Sequence, residues 1–398
     1  MMGRVRDQYE AYPYPDRDPA DEGKRLIAGS PSEPREIDHF IFAGHRDWST
    51  PLRVLVAGGG TGDGLIQLAQ MMAWAGKPSE ITYLDLSTAS RNVAEARARA
   101  RGLTGIRFET GSLLEAGDYG AFDYIDCCGV LHHLPDPVAG FAALRAALAP
   151  GGGLGFMVYA PHGRSGVYPL QAAFGALLSG LPPQDRLARA KEIFARLPED
   201  HPFKRNRLVG DHEQSDAGFY DLLLHSRDRA FAVAELLAVM ERTGWQLSGF
   251  VQPALYDPSR LAHIPADMDQ ATRMAVAEQL RGTFKVHVGY AVEAGRANAR
   301  ARPSDLSLVP HLKGGAPAKL AREIAAGKAL PLRFGMVRET LRLPKRAAPL
   351  VAGIDGRRTL AQIAGAARLD PLAFGTLWAQ VDRELGGFGL LLYSGLGR

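Results

Sequence analysis

The chain has 398 residues, of which 46% are hydrophobic and 23% charged, with 47 Lys and Arg against 43 Asp and Glu. That is the balance of an ordinary globular protein of two or three domains, and it excludes a largely disordered, collagen-like or coiled-coil chain. There is no apolar run of about 18 residues, no apolar N-terminal h-region and no cysteine beyond the adjacent Cys127 and Cys128, so the sequence predicts a cytoplasmic protein without membrane span, secretory signal or disulfide framework.

The charge is unevenly placed. From Arg296 onward there are 17 basic and 7 acidic residues, a net of +10, whereas the first 295 residues carry a net of −6. An acidic body followed by a basic tail predicts two units with different roles.

In chain order, Tyr9–Pro15 (YEAYPYP) combines three tyrosines with two prolines. It reads as a stiff apolar lid that could present Tyr9 and Tyr14 to a ligand, or as an arm packed on the core. Leu52–Ala57 (LRVLVA) is a short apolar, β-branched run, predicted to be a buried strand. A glycine cluster, Gly58 to Gly64, follows it, and Leu65–Trp74 has helical spacing. Ile81–Leu86 (ITYLDL) is the second strand, with Asp85 near its end. Ser87 is placed to cap a helix running to about Arg101, closed by Gly102. Ile106–Glu109, Phe122–Cys128 and Leu154–Tyr159 are three further strands, with a short helix at Phe141–Leu148. Strands alternating with helices predict a doubly wound α/β domain with a parallel sheet, its ligand edge near the first glycine turn.

After Tyr159 the alternation stops. Phe174–Leu181 and Asp185–Leu197 are helical, and Asp200–Gly218 is polar and irregular, so 160–230 reads as a mostly helical insertion. Ala232–Thr243 and Ser259–Arg281 read as helices, and Trp245–Gln252 and Phe284–Glu293 as strands. The proline-containing stretch 296–318 is the best linker. Residues 319–398 form a basic unit in which Thr359 caps one helix, Asp370-Pro371 starts another, and a glycine turn leads to a closing apolar strand. That pattern resembles a winged helix. Its aromatics, Phe334, Phe374, Trp378, Phe388 and Tyr393, occupy core-like positions rather than alternating with Lys and Arg, which favours protein or peptide recognition over RNA. The division is thus 1–159, lid and cofactor-binding core; 160–230, insertion on the acceptor side; 231–295, the rest of the core; 296–318, linker; and 319–398, the basic unit.

The chemistry begins at the glycine turn. A strand-to-helix turn without side chains lets a ligand approach the backbone closely and offers the unpaired N–H groups of a helix N-terminus. Gly58, Gly60 and Gly62 are spaced for such a turn. A carboxylate at the end of the next strand, Asp85, can accept both hydroxyls of a ribose. Together they fit a dinucleotide or S-adenosylmethionine, and the absence of a Walker A lysine argues against a nucleotide triphosphatase.

At VLVAGGGTG, YLDLS, GSLLEAG, FDYIDCCGVLHHLPDP and LAPGGGLGFMVYA the sequence resembles the class I S-adenosylmethionine-dependent methyltransferases. The resemblance covers roughly residues 9–168 and 232–293. It implies a Rossmann-like seven-stranded sheet with the last strand antiparallel, and S-adenosyl-L-methionine as the cofactor, released as S-adenosyl-L-homocysteine. It implies contacts to that cofactor from Gly58, Gly59, Gly60, Thr61, Gly62, Asp85, Leu86, Ser112, Leu113 and Gly129. Val56 stands where the family usually has an acid, and Ser112 where it usually has Asp.

His132, His133, Tyr159, His162 and Arg164 follow strands at the sheet's carboxyl edge, where an acceptor would meet the methyl donor. Asp216, Tyr220, Asp221, His225 and Asp228 share helical spacing and read as an acceptor-side face or a solvated one; no HxxxH or CxxC spacing predicts a metal. With VYAPHGRSGVY, this stretch resembles a bacterial subset that includes the protein-lysine methyltransferases of rickettsial surface proteins. The resemblance implies methylation of a protein side chain, lysine first. The alternatives are a small-molecule O- or N-methyltransferase, an RNA methyltransferase, or a cofactor-sensing protein without catalysis; a homodimer stays open.

Overall fold

The computed structural model describes residues 2–29, 31–334 and 337–397, the side chains of 2–4, 334 and 337 being left aside. Helices α1 (Met2–Ala11) and α2 (Pro34–Ile41) precede the sheet. Its first part runs β1 (Leu52–Ala57), α3 (Asp63–Ala75), β2 (Ser79–Asp85), α4 (Thr88–Ala100), β3 (Ile106–Thr110), β4 (Phe122–Cys128), α5 (Pro137–Ala146) and β5 (Leu148–Tyr159). The insertion holds α6 (Val167–Leu177), α7 (Pro183–Ala195), α8 (Pro202–Arg205), α9 (Asp211–Gln214) and α10 (Asp216–Leu224). The core is completed by α11 (Val233–Arg242), β6 (Trp245–Phe250), α12 (Gln270–Arg281) and β7 (Val286–Glu293). The last part holds β8 (Pro310–Leu312), α13 (Pro317–Ala325), β9 (Leu330–Phe334), β10 (Val337–Leu341), α14 (Ala348–Ala352), α15 (Leu360–Ala366), α16 (Pro371–Leu385) and β11 (Leu391–Tyr393).

The seven-stranded sheet has the order β3-β2-β1-β4-β5-β7-β6, and β7 runs antiparallel to both neighbours. This is the Rossmann-like sheet with its last strand reversed that the motifs imply. Strand order reverses direction at β1 and β4, which opens a crevice at their carboxyl ends. The central strands read as continuous apolar runs because helices cover both faces. Leu55, Ala57, Ile125 and Cys127 join one buried cluster, while Val54, Val56, Tyr83 and Tyr124 join the other. Local signals hold at the helix starts: Ser87 Oγ accepts the Ser90 N–H (3.1 Å), Asp136 caps α5, Thr359 and Gln362 form a capping box, and Asp370 caps α16.

Three expectations are corrected. The helix expected over Ser259–Arg281 is confined to α12, because prolines at 258 and 265 break its first half into a turn at Pro258–Arg260 and an irregular stretch. The polar stretch 200–218 contains the single-turn helices α8 and α9. The closing part departs from a winged helix: its hairpin, β9 with β10, precedes the last helices α15 and α16, and β11 pairs antiparallel with β8 instead of forming a wing. Phe374, Trp378, Phe388 and Tyr393 are all buried, as their spacing suggests, while the side chain of Phe334 lies outside the described part.

The segment 296–318 is held along its length. Arg296 Nη1 donates to the Gly152 carbonyl (2.9 Å) and Nη2 to that of Ile41 (2.7 Å), Ala299 and Ala301 are buried, and Lys313 pairs with Glu36. Further ion pairs, Arg260–Glu384 (2.8 Å) and Arg281–Glu339 (3.1 Å), join the basic part to the body. The strongest polar joint is Asp38 of α2. Its carboxylate accepts bonds from Ser394 Oγ (2.6 Å), Gly395 N–H (2.9 Å), Arg46 N–H (3.0 Å) and Trp48 Nε1 (3.2 Å). Asp38→Ala leaves these buried donors unpaired, so urea unfolding should show a loss of about 3 kcal/mol or more. A loss under about 1 kcal/mol would mean that the joint contributes little.

Candidate functional site

A cavity of about 480 Å³ lies at the carboxyl ends of the sheet strands. That volume suits a ligand of nucleoside size or larger. One wall is the turn after β1, where Gly58 and Gly60 have φ of +71° and +52°. A Cβ at Gly60 would approach the Tyr14 carbonyl to 2.8 Å, so the residue must be glycine for the N-terminal segment to lie across the turn. Asp85 ends β2 and braces this turn: Oδ2 accepts the Gly60 N–H (2.8 Å) and Oδ1 the Ser87 N–H (2.8 Å). Burial raises its pKa, and those two backbone bonds oppose the rise. Asp85 lines the cavity together with Leu86, Ser112 and Leu113. Ser112 Oγ accepts the Leu114 N–H (3.2 Å), which positions its hydroxyl at the head of a short turn. Gly59 and Gly129 also line the cavity.

The N-terminal segment closes the opposite side. Tyr9 and Tyr14 line the cavity, and Tyr12 stacks on Tyr220 at 4.9 Å. The Glu10 carboxylate accepts the N–H groups of Thr88 (2.6 Å) and Ala89 (3.2 Å), supplying α4 with a cap from outside its own sequence. Thr61 Oγ1 donates to the Pro15 carbonyl (2.6 Å). If this segment gates the cavity, Glu10→Ala should raise the dissociation rate of a ligand held there roughly 5-fold, the equivalent of about 1 kcal/mol lost from a cap. Stopped-flow fluorescence measures this, and an unchanged rate would show that the segment does not gate.

At the far end, strand β5, helix α10 and the turn after β4 converge. Tyr9 Oη donates to Asp221 Oδ1 (3.0 Å), and Tyr159 Oη to Oδ2 (3.4 Å). The backbone fixes the imidazole protons. His133 Nδ1 faces the Arg227 carbonyl (2.9 Å), so that nitrogen carries a proton. His225 Nδ1 accepts the Arg227 N–H (3.0 Å), so its Nε2 carries the proton toward Tyr9 Oη (3.2 Å). The ligating atoms of His133, Asp221 and His225 all lie within 4.8 Å of one another. With His225 Nδ1 taken by the Arg227 N–H and its Nε2 engaged with Tyr9, the group is poorly arranged as a cation site.

Burial first, and then the neighbouring His133, push the His132 and His225 pKa values down, so both imidazoles stay neutral. Burial also raises Asp221, partly offset by His133 and the Tyr9 bond. Arg164 lies 3.6 Å from the Tyr159 ring centroid and pairs with buried Asp228 (2.7 Å). It therefore brings little net charge and fixes the ring it stacks on.

Of the residues expected at a site, the structure brings Gly58, Gly59, Gly60, Asp85, Leu86, Ser112, Leu113, Gly129, Tyr9, Tyr14, His133, Tyr159, Arg164 and Asp221 to this cavity. His225 touches it through Tyr9 and stacks on His133 at 3.8 Å. Others lie elsewhere. Thr61 is buried against the N-terminal segment, and Gly62 packs on Ala94. His132 is fully buried, stacked on Tyr159 and accepting its N–H (3.3 Å). His162 is exposed, and Tyr220 is buried under Tyr12. The helical spacing of Asp216–Asp228 does not make one face, because α10 ends at Leu224, and exposed Asp216 pairs with Lys191. Asp126, Met157, Arg227 and Lys285 line the cavity without having been singled out. Asp126 had a signal, a carboxylate in the middle of an apolar strand; the others had none.

Residues 55–154 match a family model described as a methyltransferase domain. The chain is 36% identical over 216 residues to the uncharacterized protein syc1184_c of Synechococcus, covering 52% of this chain and 51% of that protein. It is 28% identical over 159 residues to a ubiquinone biosynthesis O-methyltransferase of Cupriavidus pinatubonensis, covering 34% of this chain and 61% of that protein. The chain thus spans about half to three fifths of the curated relatives it matches. Among solved structures, PKMT2 from Rickettsia typhi in complex with AdoHcy superposes with a TM-score of 0.61 at 13% identity, over 94% of this chain and 77% of that one. That likeness shows the fold, including the part beyond residue 295.

Proposed function

We propose that the chain transfers a methyl group from S-adenosylmethionine to an amine, with a protein lysine as the first candidate, a reading supported by the match of residues 55–154 to a methyltransferase domain model and by the likeness in fold to PKMT2. The residues present fit the cofactor: a glycine turn open to close approach, a ribose-height carboxylate at Asp85, and a cavity of about 480 Å³. When bound, S-adenosylmethionine supplies an electrophilic methyl on a sulfonium that is already an activated leaving group. Gly58, Gly59 and Gly60 would hold its methionine moiety, Asp85 its ribose, and Ser112 with Leu113 its adenine.

The observation that carries the amine reading is Asp221. It is a buried carboxylate held by the hydroxyls of Tyr9 and Tyr159, among imidazoles kept neutral by burial. An anionic pocket walled by aromatic faces attracts an ammonium group and strips its water. An ammonium must lose a proton before it can attack, and the imidazole of His133, which lines the cavity, is the candidate to take it. Arg164 keeps Tyr159 in position. The resemblance to rickettsial protein-lysine methyltransferases and the extra C-terminal part support a polypeptide acceptor. Similarity to an O-methyltransferase over 159 residues favours the second reading, a small-molecule acceptor.

Tritiated S-adenosylmethionine incubated with fractionated bacterial lysate separates these readings. Label recovered as methyl-lysine after hydrolysis of the protein fraction supports the first. Label only in small molecules or RNA overturns it, and cofactor binding with no labelled fraction indicates a sensing protein.

A further inference from the structure

Resting on the polypeptide-acceptor reading, we propose that the basic hairpin of β9 and β10, with the turn after it, docks an acidic segment of that acceptor close to its lysine. Residues 319–346 hold eight Lys and Arg against two acids, Glu323 and Glu339. All eight bases are exposed. Glu339 is spent on Arg281 (3.1 Å), and none of the eight bases forms an ion pair among the described residues. Many exposed bases of the body do otherwise, as Lys24 does with Asp21 (2.5 Å), Arg107 with Glu109 (2.6 Å) and Arg189 with Glu192 (3.2 Å).

The hairpin concentrates the charge. Arg333 and Arg338 stand directly opposite each other across β9 and β10. Side chains alternate along a strand, so these two share the exposed face, while Leu332 packs on the core and Glu339 meets Arg281. Beyond β10, exposed Arg342 adds to them. A Cβ at Gly327 would approach Lys345 Cε to 2.6 Å, so the Lys345 stem lies over the loop that carries Lys328. Like charges directly opposite on a sheet destabilise it. An anion arriving between them removes that cost, and a carboxylate fits the planar fork of an arginine with two hydrogen bonds.

Charge and reach select the occupant. Residues 1–295 carry a net of −6, so an acidic chain is repelled by the body and attracted at this unit. The Asp221 pocket asks for the opposite sign. A lysine with acidic residues near it in sequence satisfies both. The Glu339–Arg281 pair bounds the spacing. Arg281 is four residues before Lys285, which lines the cavity, so β10 lies within about 30 Å of it, the span of about nine extended residues. Nucleic acid would also meet the charge, but Phe374, Trp378, Phe388 and Tyr393, on which bases could stack, are buried.

The test is fluorescence anisotropy of the full chain with a labelled poly-L-glutamate and, in parallel, an oligouridylate RNA of equal length. Polyglutamate should bind more tightly than the RNA, and rising salt should weaken it. Arg333→Gln combined with Arg338→Gln should lower polyglutamate affinity roughly 5- to 30-fold. The melting temperature should stay the same or rise, because a like-charge pair has gone. Arg107→Gln combined with Arg189→Gln removes two charges from the body and should leave affinity within about 2-fold. Unchanged affinity in the hairpin variant, or equal losses in both variants, would overturn docking at this surface. Tighter binding of the RNA, lost with the same two arginines, would overturn it in favour of nucleic acid. None of these readouts needs methyl transfer, so their failure leaves the acceptor reading standing. Binding as expected, with no protein labelled in the tritium assay, would overturn the link between this surface and the acceptor.

Discussion

Asp85→Ala is expected to lower the affinity for S-adenosylhomocysteine by about 1–3 kcal/mol, roughly 5- to 150-fold, measured by calorimetry. Two losses combine. Hydrogen bonds from the ribose to a charged acceptor disappear, and so does the brace on the glycine turn, because the Gly60 and Ser87 N–H groups lose their acceptor. The Gly60 N–H belongs to the turn that would hold the methionine moiety. The loss should therefore fall toward the upper end of the range. Asp85→Asn separates the parts: its amide oxygen still accepts one backbone N–H, while the charge and the second acceptor are gone. An intermediate affinity is expected. If Asp85→Ala binds as wild type does, the ribose assignment fails.

The second large effect belongs to the other end of the cavity. Asp221→Asn is expected to lower kcat for an amine acceptor by roughly 10²- to 10⁴-fold, the scale of a proton-transfer or charge-positioning group, while S-adenosylhomocysteine affinity stays within about 2-fold. The pKa direction adds a sign. Burial raises the Asp221 carboxyl above its ordinary value. The charge that attracts an ammonium is present above that raised pKa and lost as pH falls through it, so the wild-type rate should decline on the acid side at a higher pH than an ordinary aspartate would give. Asn at 221 abolishes this limb. A kcat unchanged in Asp221→Asn would remove the amine pocket and leave the small-molecule hydroxyl acceptor as the better reading.

Much of the scaffold was legible because its signals are local. LRVLVA and FDYIDCC each form a strand over the residues expected, since a short β-branched run bounded by glycine has few other options. Ser87, Thr359 and Asp370 cap helices because a side-chain oxygen three residues or fewer from a free N–H needs nothing else. That the glycine turn and Asp85 meet was legible for a related reason: they are ends of adjacent parallel strands, and sequence order fixes their proximity. Where expectation failed, a distant contact decided. Prolines at 258 and 265 shortened α12, and β11 found β8, 79 positions or so earlier in the chain, in place of a wing.

The acceptor end shows the boundary most sharply. Tyr9 and Asp221 are 212 residues apart, and their hydrogen bond is a product of the N-terminal segment crossing the glycine turn. Nothing in the spacing of Asp216 to Asp228 separates Asp221, which enters the cavity, from Asp216, which meets Lys191 at the surface. His132 and His133 are neighbours in sequence, yet one is sealed behind Tyr159 and the other opens to the site. The sequence by itself determined the α/β class, the glycine turn with Asp85 at the sheet edge and the uneven charge, all carried by periodicity, strand-end residues and composition. Only the tertiary structure decided which titratable groups share a cavity and which backbone groups orient each imidazole. Those properties depend on burial and orientation between segments remote in the chain, which no local pattern encodes.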